Sequence, residues 1–364
     1  MQFKRTNNQP SVPTFDKVHF RFKLDGIHYS HEDLKEVGYS LVKEGDPYEI
    51  QVGEFMLNWL DDHDYIDLKT SGSTGDPKTI RLRKQVMVNS AINTGDFFNL
   101  EPGDRGLLCL PARFIAGKMM LVRAMILGLE LDTAEPSSHV LFSDQHPYDL
   151  CAMAPIQLKN ALSRLDCFKR VIVGGSRVPD SLVEAVQDKS TDVYETYGMT
   201  ETASHVAVKR LNHRTKDSDA YFQCLAGNKI VVDDRGCLVI HSNHLSDDPI
   251  ITNDVVKLHS DTQFEWLGRI DNVINSGGVK LHPESIERKL SSKIEPRFFI
   301  TSLPDEDLGE RVILVVEAET NELSENAFED LDKYEIPKEI FAIPKFAETE
   351  THKVSRERTL ALIK

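Results

Sequence analysis

The sequence predicts an α/β fold, in which a large N-terminal domain with mostly parallel sheets covered by helices precedes a small C-terminal α+β domain. The chain has 364 residues, which is more than one hydrophobic core usually supports. Between residues 84 and 198, short apolar runs alternate with segments of helical periodicity, as strands and helices do around a parallel sheet. Beyond residue 270, two apolar runs flank the turn 304–309, which indicates antiparallel strands.

The individual elements follow from the spacing of apolar residues. Residues 18–24 alternate like a strand, and residues 51–61 have helical spacing. Further strands are predicted where apolar runs have the length of a buried strand, at 106–111, 140–142, 170–173, 297–300 and 311–316, with a hairpin at 228–240. Further helices are predicted at 84–98, 117–128, 154–165 and after Pro283, which opens a helix that carries Glu284 and Glu287 near its start.

Composition limits the classes of function. With 40% hydrophobic and 28% charged residues, the chain is typical of soluble globular proteins. Its net charge of −15 argues against a nucleic-acid partner and an anionic membrane surface, so a phosphate-bearing substrate would need a local positive site. The five cysteines form no C-x-x-C pair, which indicates free thiols in a reducing compartment. No apolar segment suits a signal peptide or a membrane span, so we expect a cytoplasmic protein without membrane insertion.

A polar run at residues 70–78 is the strongest single signal. Gly72 and Gly75 allow backbone angles that place successive N–H groups on one side of a turn, and Lys78 adds a point charge that suits phosphate oxygens. A flexible Gly/Ser linker has a similar composition, and Pro77 excludes the Walker A pattern. We predict a polyphosphate-binding loop made of Thr70, Ser71, Gly72, Ser73, Thr74, Gly75, Asp76, Pro77 and Lys78.

A second signal lies where two predicted strands end. Gly174, Gly175 and Ser176 follow the strand 170–173, and at that edge a glycine pair lets the backbone approach a ligand, although such a pair is more often only a turn. In the run 194–202, Tyr197 could stack on a purine, Thr200 could donate to a phosphate and Glu201 could hold a divalent cation. The alternative for this run is a capping box or an ordinary turn.

Arg123 lies within an otherwise apolar helical segment, and burying its charge without a partner is costly. For an arginine in such a segment, the common interpretation is a side chain that reaches solvent along the outer face of the helix. A metal site at His241 and His244 is disfavoured, because the segment is a polar loop without zinc-ligand spacing.

Taken in chain order, these runs resemble the motifs of the adenylate-forming enzymes, the acyl-CoA synthetase and adenylation-domain superfamily, over roughly residues 66–364. The matching segments are the phosphate loop 70–78, the Y-G-x-T-E run 197–201, the T-G-D motif at 252–254, the hinge signature 268–287 and the terminal lysine motif 351–356. Asn253 and His352 each replace a glycine of the family pattern, and the segment before the phosphate loop is shorter than typical. Within the superfamily the chain is most similar to the o-succinylbenzoate–CoA ligases, in which an arginine recurs at position 123 and a histidine is usual where Phe114 stands.

The resemblance implies that the chain adenylates a carboxylic acid with ATP and Mg²⁺ and transfers the acyl group to CoA, with o-succinylbenzoate as the favoured acid. It implies domains at 1–270 and 271–364 joined at the hinge residue Asp271, small-molecule partners, and a homodimer as an open option. The implied catalytic residues are Lys353, Thr200 and Glu201, with Glu201 also the metal ligand. ATP would contact the loop 70–78 and Gly174, Gly175, Ser176, Tyr197, Gly198, Asp254 and Arg269, and the acid or CoA would contact Arg123, Ser204, Gly277 and Gly278.

Two alternatives remain. The chain could be another aryl- or acyl-CoA ligase, or an adenylation enzyme that loads a carrier protein. It could also be a nucleotide-binding homologue without turnover, a reading motivated by Asn253 and His352.

Overall fold

Two β-sheets meet at a short 3-10 helix, Ile270–Asn272. The computed structural model describes residues 13–69, 79–143, 145–324, 326–348 and 354–363. The predicted phosphate loop, 70–78, lies outside the described residues, and so do His352 and Lys353.

Helices are interspersed with strands up to Gly198. In chain order they are β1 (Lys23–Leu24), β2 (Ile27–His28), α1 (His31–Glu44), α2 (Pro47–Trp59), β3 (Tyr65–Lys69), β4 (Thr79–Arg83), α3 (Lys84–Phe98), β5 (Arg105–Leu108), α4 (Ile115–Leu127), β6 (Glu130–Thr133), β7 (Leu150–Met153), α5 (Pro155–Ala161), β8 (Arg170–Val173), α6 (Asp180–Ala185) and β9 (Asp192–Gly198).

Strands dominate the remainder. They are β10 (His205–Arg210), β11 (Phe222–Cys224), β12 (Lys229–Val232), β13 (Cys237–His241), β14 (Ile250–Leu258) and β15 (Gln263–Arg269). After the 3-10 helix come β16 (Ile274–Ser276), β17 (Val279–Leu281), α7 (Pro283–Leu290), β18 (Phe298–Asp305), β19 (Gly309–Glu317), β20 (Glu339–Ile343) and α8 (Arg356–Leu360).

The large sheet is mixed. Its thirteen strands run in the order β12-β13-β14-β15-β11-β10-β9-β8-β7-β5-β6-β1-β2. Pairing is parallel from β9 to β1 through β8, β7, β5 and β6, and antiparallel elsewhere. The α/β class is therefore confirmed, but parallel pairing is confined to one half. After β9 the strands are joined by turns too short for the crossover that a parallel pair requires.

Most predicted elements are confirmed, two local predictions are wrong, and two strands were missed. The strand predicted at 18–24 is reduced to β1, residues 140–142 form no strand, and β6 and β7 were not anticipated. Phe142 instead packs against Phe168 at a ring distance of 4.9 Å, so its apolar character serves loop packing rather than sheet pairing. β7 directly precedes α5, and the sequence pattern does not separate such a short strand from the apolar start of a helix.

Both faces of the parallel half are covered. Ile172 of β8 faces the core packed against α2, α3 and α4, whereas Val171 and Val173 face the core beneath α5 and α6. This alternation explains why the strand reads as a continuous apolar run. The small sheet, with β17, β16, β19, β18 and β20, has its own apolar clusters around Ile300 and Phe299.

Gly117→Ala is expected to lower the free energy of unfolding by about 1–3 kcal/mol, as overpacked sites do. Gly117 lies in the first turn of α4, where an added Cβ would overlap the carbonyl oxygens of Pro111 and Leu110. Urea denaturation of Gly117→Ala and of the exposed neighbour Ala116→Ser provides the measurement and its control. Equal stability of the two variants would show that α4 can shift away from the loop before it.

Candidate active site

The β3–β4 hairpin flanks the predicted phosphate loop. Lys69 and Thr79 are paired at the end of the hairpin that adjoins residues 70–78. The two residues that flank this segment are therefore neighbours. β4 also lies against the turn Thr200–Thr202. The structure thus brings β4, which follows the predicted loop, close to the turn that holds Thr200 and Glu201.

The carboxyl ends of β8 and β9 are adjacent. Val173 pairs with Glu195 in parallel register, so Gly174 and Thr196 are neighbours beyond it. An added Cβ at Gly174 would lie 2.6 Å from Thr196 Oγ1, and that hydroxyl donates to the Val173 carbonyl at 3.0 Å. Gly175 has φ +88°. Glycine is therefore required at 174 by the close approach of Thr196 and favoured at 175 by the positive φ.

A polar cluster joins β9, β14 and β15. The Tyr197 hydroxyl donates to Asp254 Oδ2 at 2.7 Å, and Trp266 Nε1 donates to Oδ1 at 3.0 Å. Burial and then the Asp254 carboxylate raise the pKa of Tyr197 well above its usual value, so the phenol keeps its proton. Arg269 lies 4.0 Å from Asp254 and 2.9 Å from Asp271. The structure therefore brings together four residues that the sequence singled out, Tyr197, Asp254, Arg269 and Asp271. Trp266, which sequence reasoning missed, joins them.

Asp271, the predicted hinge residue, accepts a further contact from Asn253. Asn253, which replaces a family glycine, donates through Nδ2 to both Asp271 carboxylate oxygens at 3.3 Å. By contrast, Gly277 and Gly278 form the β16–β17 turn with φ +58° and +84°. Gly277 N donates to the Leu308 carbonyl within the small sheet, and the structure does not bring either glycine into contact with Arg123 or Ser204.

A strained turn follows the Y-G-x-T-E run. Ala203 has φ +61° and ψ −40°, and Ser204 N donates to the Thr202 carbonyl at 2.6 Å, which defines a tight γ-turn of the rarer kind. The buried Thr202 hydroxyl holds the turn by accepting from Met199 N at 2.9 Å. Glu201 is exposed beside it, and no hydrogen bond involves its carboxylate within the described ranges. Such strain persists where the surroundings impose it, and it clusters at functional sites.

Arg123 is buried, with 2% of its surface exposed, which excludes the alternative of a side chain that reaches solvent. NH2 donates to Ser204 Oγ at 2.5 Å and lies 3.5 Å from His205 Nδ1, and NH1 lies 3.6 Å from the Met120 sulfur. Nε has no hydrogen-bond partner, and no carboxylate among the described residues pairs with the guanidinium. Burial alone lowers the pKa of Arg123 to about 10.

His205 completes this pocket and was not predicted. Thr94 Oγ1 donates to the Ser90 carbonyl at 2.9 Å and lies 3.4 Å from His205 Nε2. A proton on Nε2 would satisfy that contact and leave the Nδ1 lone pair towards Arg123 and Ser204. Burial, followed by the Arg123 cation, holds the pKa of His205 well below its usual value. The only sequence signal was its position directly after Ser204.

Known proteins resemble this chain in sequence and fold. The sequence pattern of the family described as AMP-binding enzyme matches residues 58–242, from α2 to β13. The chain belongs to the AMP-binding enzyme family. A crystal structure of an acyl-CoA synthetase (AMP-forming)/AMP-acid ligase II-like protein from Dyadobacter fermentans is 36% identical to this AMP-binding enzyme, with a TM-score of 0.60, and the match covers 91% of this chain and 98% of that one.

More distant relatives are longer. The 2-succinylbenzoate–CoA ligase of Haemophilus influenzae is 24% identical over 282 residues, which are 72% of this AMP-binding enzyme and 61% of the ligase. The chain therefore spans about three-fifths of that relative's length. The o-succinylbenzoate CoA synthetase of Bacillus subtilis, solved in complex with the acyl-adenylate intermediate, is 21% identical with a TM-score of 0.70, covering 80% of this chain and 68% of that one. The resemblance to these ligases establishes a shared fold.

The described residues contain neither a metal-binding cluster nor a membrane-spanning helix. In the described part of the chain, no group of three or more His, Cys, Asp or Glu side chains is arranged to hold a metal ion. His241 and His244 therefore belong to no such group. Among the described helices, none combines the length and apolar character needed to cross a bilayer. All five cysteines are described and free, with the Cys109 and Cys151 sulfurs 3.6 Å apart.

His205 should make stability fall in acid. Its folded-state pKa is depressed, so the unfolded chain takes up a proton below about pH 6.5 that the folded chain rejects. Stability is thus complete above that pH and declines below it, by at most about 1.4 kcal/mol per pH unit for one proton. Urea unfolding of the wild type and of His205→Gln at about pH 7 and about pH 5.5 measures the difference. Parallel losses in both proteins would contradict this assignment.

Proposed function

We propose that this AMP-binding enzyme is an AMP-forming acid–CoA ligase, and that its acid is o-succinylbenzoate. The observation that carries the proposal is the buried Arg123 guanidinium, which has no carboxylate partner among the described residues. The family membership supports adenylation as the reaction class. The names of the curated relatives support the choice of acid.

A buried guanidinium without a counter-charge costs several kcal/mol, so a binding partner is expected to offset that cost. Nε is free, while NH2 is shared with Ser204 Oγ and His205 Nδ1. A carboxylate could accept from Nε and NH2 together, which is the fork geometry that arginine favours. In a dicarboxylic acid, the carboxylate that does not react would supply this charge. A monocarboxylic acid would leave Arg123 unpaired.

The nucleotide would bind along the edge formed by β8, β9 and β14. Gly174–Ser176 and Gly198 would allow close backbone approach. The Asp254 carboxylate suits ribose hydroxyls, and it would accept from them beside or in place of the hydrogen bonds from Tyr197 and Trp266. The exposed Glu201 carboxylate fits a hard divalent cation. Mg²⁺ bound there would supply positive charge to the phosphates. Thr200, beside it, would donate to a phosphate oxygen.

The chemistry needs orientation more than proton transfer. The acid is ionised at neutral pH, and its oxygen attacks the α-phosphorus of ATP as pyrophosphate leaves. The thiol of CoA then loses its proton, and the thiolate attacks the acyl carbon as AMP leaves. The protein must bring anions together and neutralise leaving charge, which positioning and cationic groups supply. Lys78 and Lys353, both outside the described residues, are proposed for that role.

We also propose domains at 1–270 and 271–364 that rotate about Asp271 between the two steps. The change of sheet at 270–272 supports this boundary. Contacts across it are largely polar: Ser291 Oγ donates to Asp180 at 3.0 Å, and Arg288 donates to Glu265 at 3.0 Å. Polar contacts of this kind can be exchanged with water, as mobile domain interfaces require.

Arg123→Ala should weaken o-succinylbenzoate binding by about 2–4 kcal/mol, because a charged, hydrogen-bonded pair is lost. The apparent KM for ATP should not change. The measurement is acid-dependent ATP–pyrophosphate exchange, with 4-oxo-4-phenylbutanoate, which lacks the ring carboxylate, as the matched substrate. The wild type should prefer the dicarboxylate, and Arg123→Ala should lose that preference. An unchanged KM for the acid, with only a lower Tm, would make Arg123 a structural residue. AMP release with other carboxylic acids in place of o-succinylbenzoate would favour another acyl-CoA ligase. AMP release with a carrier protein in place of CoA would favour an adenylation enzyme that loads such a protein.

Asp271→Pro should leave adenylate formation nearly intact and cripple thioester formation. Proline fixes φ near −65°, so the hinge would be held in whichever state tolerates that angle. Each half-reaction is measured separately, by pyrophosphate exchange and by CoA-dependent consumption of added acyl-adenylate. Asp271→Ala, which keeps the rotation, is the control. Equal loss of both half-reactions in the proline variant would indicate misfolding rather than a blocked hinge.

A further inference from the structure

His205 lies at an irregularity in the pairing of β9 and β10. The antiparallel register of the two strands shifts between His205 and Ala207, as at a β-bulge. Irregularities of this kind change the direction in which a side chain points. The strands approach so closely there that a Cβ added at Gly198 would lie 2.6 Å from the His205 Cα. The backbone of both strands therefore imposes the position of the His205 ring.

The contact of His205 Nε2 assigns the ring proton. Thr94 Oγ1 donates to the Ser90 carbonyl at 2.9 Å, one turn earlier on α3, and lies 3.4 Å from Nε2. Because a hydroxyl has one proton, Thr94 can only accept from the ring. Both side chains are buried. Thr94 therefore requires the proton of the neutral ring to be on Nε2.

His205 Nδ1 faces two donors, which lead to the same tautomer. Arg123 NH2 lies 3.5 Å from Nδ1, and Ser204 Oγ lies 3.3 Å from it. Ser204 Oγ accepts from Arg123 NH2 at 2.5 Å, so its own proton can be donated to Nδ1. A guanidinium has donors and no acceptor, so Nδ1 must present its lone pair. The two ring nitrogens thus assign one tautomer independently of each other.

This tautomer makes His205 a neutral acceptor beside a cation. A carboxylate in its place would cancel the charge of Arg123, and a protonated imidazole would repel it. The two neutral acceptors near Arg123 NH2, Ser204 Oγ and His205 Nδ1, restrict the rotation of the guanidinium. Nε has no hydrogen-bond partner. Arg123 is therefore oriented by its neighbours while its charge stays available to a ligand.

We propose that His205 is a positioning residue, which orients Arg123 for the second carboxylate of a dicarboxylic acid and so determines the preference for such acids. This inference rests on the proposed function. A bidentate fork depends on the plane of the guanidinium, and groups behind a binding residue fix such a plane through their own hydrogen bonds. His205 acts through Arg123, and Thr94 holds His205 from α3.

The test uses two amides that each reproduce one nitrogen of the ring. In His205→Asn the side-chain oxygen can occupy the place of Nδ1, whereas in His205→Gln the terminal amide reaches the place of Nε2. The measured quantity is the ratio of kcat/KM for o-succinylbenzoate to that for 4-oxo-4-phenylbutanoate in ATP–pyrophosphate exchange. His205→Gln should lower this ratio by about three- to tenfold, as the loss of one hydrogen bond does, and His205→Asn should keep it within about twofold. The KM for ATP should not change in either variant.

Thr94→Val and Thr191→Val form a matched pair. Each threonine is fully buried and donates to a backbone carbonyl, Thr94 to Ser90 at 2.9 Å and Thr191 to Leu165 at 2.7 Å. Both variants should lose similar stability in urea unfolding. Only Thr94→Val removes the acceptor of His205 Nε2, so only this variant should lower the ratio. Thr191 precedes β9, whose other end pairs with His205, and Thr191→Val should keep the ratio within about twofold of wild type.

A measurement without substrates tests the tautomer. Nitrogen NMR distinguishes a protonated ring nitrogen from a bare one, and the His205 signals are those missing from His205→Asn. At about pH 8 the ring should carry its proton on Nε2. A proton on Nδ1 would overturn the proposal.

The kinetic ratio separates this inference from the proposed function. If the wild type prefers the dicarboxylate, then equal losses of preference in His205→Asn and His205→Gln, or an unchanged ratio in both, would overturn the positioning role and leave the proposed function standing. A wild type that adenylates both acids equally well would overturn the choice of o-succinylbenzoate, and this inference with it.

Discussion

The rest of the site depends on a guanidinium that is buried without a counter-charge. Arg123 is removed from solvent on α4, and its neighbours are neutral: the Ser204 hydroxyl, the His205 ring and the Met120 sulfur. An uncompensated charge in such surroundings is tolerable only if the fold forces it there and a ligand offsets it. His205 stays neutral for the same reason, because a second cation beside Arg123 would add repulsion to desolvation.

A tight turn of the backbone places Ser204 against Arg123. Ser204 reaches Arg123 because the chain reverses at Ala203 in a γ-turn that costs conformational energy, and the buried Thr202 hydroxyl holds the reversal in place. The turn leaves Glu201 exposed on its other side. Thr202 and the strained Ala203 therefore separate Ser204, which contacts the arginine proposed for the acid, from Glu201, whose carboxylate is proposed for the cation. This arrangement would hold the acid and the phosphates at a fixed separation, which is what a reaction between two anions requires.

The large sheet and the small domain are joined close to the residues proposed for the nucleotide. Parallel strands β8 and β9 end side by side, and the antiparallel strands β14 and β15 bring Asp254, Trp266 and Arg269 to Tyr197. From Arg269 the chain passes directly into Asp271 and the small sheet, where α7 connects the hinge to Arg356. The residues proposed for the nucleotide and the proposed hinge thus lie within a few residues of each other, and short polar contacts join them.

The sequence alone determined the local elements and the order of the motifs. α3, β8 and the β12–β13 hairpin form where apolar spacing and turn residues predict them, because these signals depend only on near neighbours in the chain. The runs around Tyr197 and Arg269 could be identified for the same reason, since each motif is contiguous.

Only the tertiary structure decided how distant segments pair. The direction of the strands after β9, the loss of the strand at 140–142, and the partnership of Trp266 with Asp254 all depend on contacts between residues far apart in the chain. The orientation of Arg123 was of this kind: its helix is apolar on every side, so its periodicity could not show which face meets the core. That face was fixed by the sheet packed against it, and with it the buried charge on which the proposed specificity depends.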